Sequence, residues 1–355
     1  MFRYLLCLLG VLLALPLLTV IALAFTLPVS MSGIGYLLAG SLIVTGLILA
    51  RGNKKYSSLI AMTGVIAFIM IAGARLILAR QNGSSRLTVV NLPKGNETRW
   101  INTSIDEQDN LIFGEALFHF LGGDSSREHN GLAAALHSSY TDIRKTRRVF
   151  PSPVLSTYLN LQRPRSFDAV MIEPEVPRHQ KTAVIFLHGY MGNVTAQCWE
   201  IAKGAGNFGA RTVCPSTDWT GQWWHPEGQA ILQATFQYLR EQGIENFYLG
   251  GFSNGGFGVS RLVSEVSKQE GLSGLFFIDG ITDGESIRET GLPVLIIQAA
   301  QDERVPVENV RQIAEVIGDL GTYVELDGDH FIIIKRSEPV QAAITDWLEE
   351  QASGR

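Results

Sequence analysis

The chain has 355 residues, 46% of them hydrophobic, with a formal net charge of -5 and a sequence pI near 5.8. A mean hydropathy of +0.14 is high for a chain folded wholly in water, and the acidic balance excludes the basic surface that nucleic-acid binding needs. Three cysteines, Cys7, Cys198 and Cys214, are too few for a disulfide scaffold and lack the spacing of a zinc site.

The first eighty residues hold three apolar runs, at 4–27, 31–50 and 57–79. Each approaches the roughly 20 residues that a helix needs to cross the hydrocarbon core. Irregular backbone cannot span lipid, so about three transmembrane helices are expected over residues 1–80. Pro28, Ser30 and Ser32 mark an uncharged hairpin, and Arg51, Lys54 and Lys55 a basic turn; Pro16 falls inside the first run. Arg75, near the end of the third run, is expected to snorkel to the interface. A cleaved signal peptide is the alternative reading of the first run, with Arg3 at its charged start and Ala22-Leu23-Ala24 as the cleavage site. The basic turn argues for a cytoplasmic loop, which puts everything after residue 80 on the extracytoplasmic side; Arg75, Arg80 and Arg86 argue the other way. The tether at residues 81–85 is short, so an anchored domain stays near the bilayer.

Residues 81–355 read as one α/β domain with a mostly parallel sheet covered on both faces, residues 93–166 being an N-terminal extension of it. Strands are expected at 86–92, 167–173, 182–187, 211–214, 247–250, 275–278, 294–298 and 322–326. Helices are expected at 109–121, 132–145, 197–205, 228–241, 257–268, 309–317 and 339–350.

Four of the turns between these elements carry chemistry. Residues 248–256, YLGGFSNGG, place Gly-x-Ser-x-Gly between a strand and a helix. A chain that turns so sharply needs Gly251 and Gly255 to avoid Cβ clashes, and the turn lifts the Ser253 hydroxyl clear of the sheet. Asp302, in LIIQAAQDERVP, follows a buried strand, as does its rival acid Asp279. His330, in LDGDHF, follows the last strand; Asp327 and Asp329 beside it read as turn residues. His188-Gly189-Tyr190-Met191-Gly192-Asn193 ends an earlier strand. The C-terminal edge of an open α/β sheet is where sites assemble.

These motifs, in the order Ser, Asp, His, resemble the α/β-hydrolase superfamily from about residue 167 onward. The resemblance implies Ser253 as nucleophile, His330 as base and Asp302 as the acid that orients it. It implies an oxyanion hole from the backbone N–H groups of Asn254 and Tyr190, with Met191 as the alternative donor. No metal or other cofactor is implied, and no phosphate loop or dinucleotide fingerprint is present. In the loop TDWTGQWWHP, residues 217–226, Trp219, Trp223, Trp224 and His225 either wall a substrate pocket or pack the core. The expected activity is a carboxylic-ester hydrolase acting on a small-molecule or lipid-like ester; a prolyl-oligopeptidase-like serine peptidase and a non-catalytic binding module remain the alternatives. Cys198 and Cys214 both fall at the sheet's C-terminal edge, either bonded to each other or as two buried thiols.

Overall fold

A computed structural model describes residues 2–25, 27–52, 54–81, 85–120 and 131–354. The tether expected at 81–85 lies mostly outside the described residues, as does Asn53 of the basic turn. The chain divides into two compact units. One comprises residues 1–83, 100–129 and 148–151, the other 84–99, 130–147 and 152–355. The extension expected at 93–166 is therefore shared between them.

The first unit is built on α1 (Phe2–Ala24), α2 (Met31–Ile48) and α3 (Lys54–Gln81). All three are long and apolar enough to cross a membrane. Pro16 is accommodated within α1. Ser30 caps α2, its Oγ accepting the Gly33 N–H at 3.0 Å. Small residues bring α2 and α3 close: a Cβ on Gly46 would lie 2.6 Å from the Ala61 nitrogen, and one on Gly64 2.6 Å from the Ala39 carbonyl.

Two short helices, α4 (Ile101–Ser104) and α5 (Glu107–Phe120), complete this unit. They correct the expectation for Arg75. Its side chain does not snorkel: it is buried, with Nε donating to the Thr103 carbonyl at 3.0 Å and Nη1 to Ser32 Oγ at 2.9 Å, and Nη1 lies 3.6 Å from an Asp106 carboxylate oxygen. The physical reason is that residues 101–109 fold back with carbonyl and carboxylate partners, which removes the drive to reach water. Tyr36 donates to the Ser104 carbonyl, and Gln108 to that of Pro28 at 2.6 Å. Asp109 accepts the Ser30 N–H at 2.8 Å. Burial, and then the nearby Asp106 carboxylate, push the Asp109 carboxyl up to about 6.

The second unit is a nine-stranded sheet in the order β2-β1-β3-β5-β4-β6-β7-β8-β9. Its strands are β1 (Leu87–Leu92), β2 (Asn96–Glu97), β3 (Phe167–Ile172), β4 (Thr182–Leu187), β5 (Arg211–Pro215), β6 (Asn246–Phe252), β7 (Leu272–Ile278), β8 (Val294–Ala299) and β9 (Gly321–Leu326). From β5 to β9 the pairing is parallel, and β1, β2 and β3 add an antiparallel flank. This is the α/β-hydrolase fold. β3, β4 and β8 are buried throughout, which explains their mostly apolar sequences; Asp168 and Gln298 are buried with hydrogen-bond partners. The edge strand β2 was not expected: Asn96 and Glu97 are exposed and carry no apolar signal.

Covering helices are α6 (Leu132–Thr146), α8 (Thr195–Phe208), α9 (Pro226–Glu241), α10 (Asn254–Arg261), α13 (Val307–Ile317) and α15 (Ser337–Ser353). Shorter turns of helix are α7 (Val154–Tyr158), α11 (Val263–Val266), α12 (Gly284–Glu289) and α14 (Ile332–Lys335). The stretch expected as one helix at 257–268 is split into α10 and α11. After α7 the chain is pinned by buried Asp168, whose Oδ2 accepts from Arg99, from Ser156 Oγ at 2.8 Å and from Gln162 Nε2 at 3.1 Å. The sheet order reverses at β4, whose neighbours are β5 on one side and β6 on the other, so a crevice opens at its C-terminal end.

Candidate active site

Ser253 stands between β6 and α10 with φ 53° and ψ -121°, a conformation that L residues rarely adopt. Its neighbours make the turn possible. A Cβ on Gly255 would lie 1.9 Å from the Leu187 carbonyl, and one on Gly256 1.9 Å from that of Gly280. Gly251 likewise faces Gly255 at 2.3 Å. Only glycine fits a backbone packed this closely.

His330 lies in the loop after β9, 2% exposed. Its Nε2 is 3.0 Å from Ser253 Oγ and its Nδ1 2.7 Å from Asp302 Oδ2. The carboxylate fixes the tautomer: Nδ1–H donates to Asp302, which leaves Nε2 to accept the serine proton. Asp302 is itself held, since Oδ1 accepts the N–H groups of Arg304 and Val305 at 2.8 and 2.9 Å. The Phe252 ring lies 5.0 Å from the imidazole and shields it.

Asp279, at the end of β7, is also buried, and its Oδ1 accepts the Ala299 N–H at 2.7 Å. Ligand atoms of Asp279, Asp302 and His330 lie within 4.8 Å of one another, a set that resembles a metal cradle. Both imidazole nitrogens already have partners in Asp302 and Ser253, so the arrangement suits a proton relay.

The His-Gly loop runs against the serine turn. A Cβ on Gly189 would lie 2.9 Å from the Phe252 carbonyl and 3.0 Å from Ser253 Cβ. Tyr190 is the next residue of this loop. The Asn254 N–H opens α10 and has no partner within the helix, as its position requires. The Asn254 side chain donates to the Thr220 carbonyl at 2.8 Å.

The tryptophans divide. Trp219 is exposed and meets the Tyr190 ring edge-on at 5.0 Å. Trp223 has no exposed surface, and its indole N–H donates to the His188 carbonyl at 2.9 Å; it packs the core and holds the loop, and does not wall a pocket. Trp224 lies under the Arg261 guanidinium at 4.1 Å. Arg261 is the last residue of α10, and the adjoining His225 is exposed.

Sequence reading missed how His188 and Asn193 hold the His-Gly loop. His188 is fully buried; Nε2 accepts the Thr217 N–H at 3.1 Å and Nδ1 bonds the Gly189 carbonyl at 2.8 Å. Burial lowers this imidazole to about 4, so it stays neutral. Asn193 Nδ2 donates to the Cys214 carbonyl at 2.7 Å and to Ser216 Oγ at 3.0 Å. Cys198 and Cys214 are joined, Cα to Cα 6.1 Å, and tie α8 to β5 behind the loop. The disulfide is one of the two readings the sequence left open; only the composition of the HGYMGN stretch hinted at the polar contacts.

A model of the alpha/beta hydrolase family matches residues 226–332, a stretch that contains Ser253, Asp302 and His330. No curated protein sequence matches the chain. Among solved structures, an alpha-beta serine hydrolase homologue from Coxiella burnetii is similar at 19% identity, over 52% of this chain and 92% of that one, with a TM-score of 0.42. Est1E from Butyrivibrio proteoclasticus is similar at 18% identity over 53% and 95%, TM-score 0.42. The esterase domain of a Rhodothermus marinus protein is similar at 15% identity over 52% and 92%, TM-score 0.42.

Proposed function

We propose that this protein, with its α/β-hydrolase fold, is a membrane-anchored serine hydrolase that cleaves carboxylic esters. The observation that carries the reading is the hydrogen-bonded chain from Asp302 through His330 to Ser253, with links of 2.7 and 3.0 Å. Ser253 Oγ attacks the acyl carbonyl while His330 Nε2 takes its proton. Asp302 stabilises the imidazolium that results. Negative charge on the carbonyl oxygen is met by the N–H groups of Asn254 and Tyr190, a contribution of about 3 kcal/mol per well-placed donor. His330 then returns its proton to the departing alkoxide, leaving an acyl group on Ser253. Water, activated by the same imidazole, releases the acid and restores the serine. Trp219 and the Tyr190 ring are the side chains at the mouth that touch substrate.

The apolar helices α1–α3 support anchoring in a membrane, and Arg51, Lys54 and Lys55 support a cytoplasmic turn with the hydrolase unit outside. The Cys198–Cys214 bond accords with an oxidising compartment.

A fluorophosphonate probe tests the nucleophile. It should label the full-length chain and leave Ser253→Ala unlabelled; labelling that survives the substitution would remove Ser253 from the mechanism. Aryl esters should be turned over and peptide amides should not. An alkaline-phosphatase fusion at Ser85 should be active and a green-fluorescent-protein fusion there dark; the reverse would put the domain in the cytoplasm.

A further inference from the structure

Water-soluble domains scatter their exposed apolar side chains, and a cluster of them marks a contact surface. In the sheet unit, all the exposed large hydrophobics among the described residues except Val176 and Val316 fall in three segments. These are Leu159 and Leu161 after α7, Tyr190 and Met191 in the His-Gly loop, and Trp219. The segments converge on one point. A Cβ on Gly192, the residue after Met191, would lie 2.9 Å from Thr157 Cγ2 and 3.8 Å from the Trp219 Cα, and the Tyr190 and Trp219 rings touch. Gly189, beginning this loop, packs on Ser253. The patch therefore adjoins the nucleophile.

Its scaffold is rigid. Leu159 and Leu161 flank Asn160, which has a positive φ of 54°, and the turn rests on the partnered Asp168 carboxylate through Ser156 and Gln162. The Leu161 carbonyl accepts from Arg99, and the Leu161 N–H donates to Ser156. Two apolar side chains are thus held outward by a buried polar network. Arg163 and Arg165, both exposed, follow in the same loop. Apolar tips flanked by guanidinium groups fit a surface of acyl chains beneath phosphate headgroups.

We propose that this patch is a bilayer-docking surface: Leu159, Leu161 and Met191 enter the lipid interface, and the ester is delivered to Ser253 from the membrane. A lipid occupant is favoured over a protein because the same chain carries the spanning helices, joined to β1 by only the few residues after Gln81. The proposal rests on the anchored-hydrolase reading and narrows its substrate class to esters dissolved in a bilayer.

The test uses the full-length chain in vesicles of phosphatidylcholine and phosphatidylglycerol. Cys7→Ser removes the one cysteine outside the disulfide, so a single NBD fluorophore can be placed at Leu161→Cys or at Val316→Cys. Val316 lies in the last turn of α13, at the sheet edge away from the triad, since that helix runs from the Asp302 loop back to the start of β9. Doxyl-labelled lipid should quench NBD at position 161 and leave it bright at 316. Leu159→Ser with Leu161→Ser should lower hydrolysis of a bilayer-embedded ester about tenfold and leave a short soluble ester unaffected. No quenching at position 161, as for a patch covered by protein or by a second copy, would overturn docking. So would equal quenching at both positions, or an equal loss on both esters. Fluorophosphonate labelling of Ser253 in the same vesicles reports on the hydrolase reading separately.

Discussion

In α1–α3 the residues turned outward are Leu5, Leu12, Ile69 and Met70, while Ala39, Ser57 and Arg75 are buried. In the sheet unit Val184, Ile185, Phe277 and Ile296 have almost no exposed surface, and charges such as Lys181, Glu245 and Arg311 face water. The same side-chain chemistry is sorted in opposite directions. Burial in the sheet follows the hydrophobic effect, which favours removing apolar area from water. If the helical unit lies in lipid, as proposed, that drive vanishes there, and close backbone approach and internal hydrogen bonds take its place. A polar group must then find a protein partner in the first unit, as Arg75 does. In the second it has the choice of water, and buried polar groups occur where they find partners, as at Asp168 and at the cluster of Asp302 and His330.

Substitutions sharpen that contrast. The largest effect should come from the relay, which belongs to the sheet unit. Ser253→Ala and His330→Ala should each reduce ester hydrolysis by about 10⁴-fold or more, with detergent extraction of the chain unchanged. Asp302→Asn should fall nearly as far. Steady-state rates for Asp279→Asn decide the acid: near-normal Asp302→Asn with an inactive Asp279→Asn would reverse the assignment.

Next in size is a glycine comparison. Gly255→Ala drives a methyl to 1.9 Å from the Leu187 carbonyl and should cost about 5 kcal/mol or more, seen as failure to accumulate folded protein. Gly73 in α3 has nothing within 4 Å of its would-be Cβ, so Gly73→Ala should be neutral or slightly stabilising. A tolerated Gly255→Ala would mean that the strand-to-helix turn is looser than its backbone contacts imply.

Arg75→Ala probes the other unit. It leaves Asp106 and the Thr103 carbonyl without their buried cation, and should lower thermal stability in detergent by about 3 to 5 kcal/mol. Catalysis per folded molecule should not change, because the network contains none of Ser253, Asp302 and His330. A silent substitution would show that Arg75 was solvated after all.

The smallest effect is a pH dependence. His188 titrates near 4 in the fold against about 6.5 when unfolded, so the unfolded state binds more protons between those values. Stability from keeping it neutral is complete above about pH 6.5 and declines as pH falls toward 4, by at most about 3 kcal/mol. Asp109 acts with the opposite sign: its carboxyl titrates near 6, so stability it contributes in acid is lost as pH rises through that value. Melting curves of His188→Gln between pH 7 and 4 should show a shallower decline than the parent chain.

Much of this was readable in order along the chain. Buried parallel strands need largely apolar runs, so β4, β6 and β8 announce themselves, and with them the turns that carry His188, Ser253 and Asp302. Three helices of spanning length follow from apolar runs that no loop could carry through lipid. The glycine requirement at 251 and 255 was legible too, because a tight turn leaves no room for Cβ whatever lies around it.

Other features depend on neighbours distant in sequence, and local pattern alone does not decide between their alternatives. That His330 bonds Asp302 while Asp279 bonds the Ala299 N–H was open until β7, β8 and β9 were set side by side. Trp223 became a core residue and Trp219 a surface one although four positions separate them, because the loop folds one inward onto His188. The bond between Cys198 and Cys214 required α8 and β5 to meet, and the burial of Arg75 required residues 101–109 to return to α2 and α3. Sequence by itself determined which elements form and which chemistry each turn carries, since backbone sterics and the burial of one face act over a few residues. Tertiary structure alone decided which side chains meet, since hydrogen bonds and charges act over about 3 to 4 Å and the partners come from segments far apart in the chain.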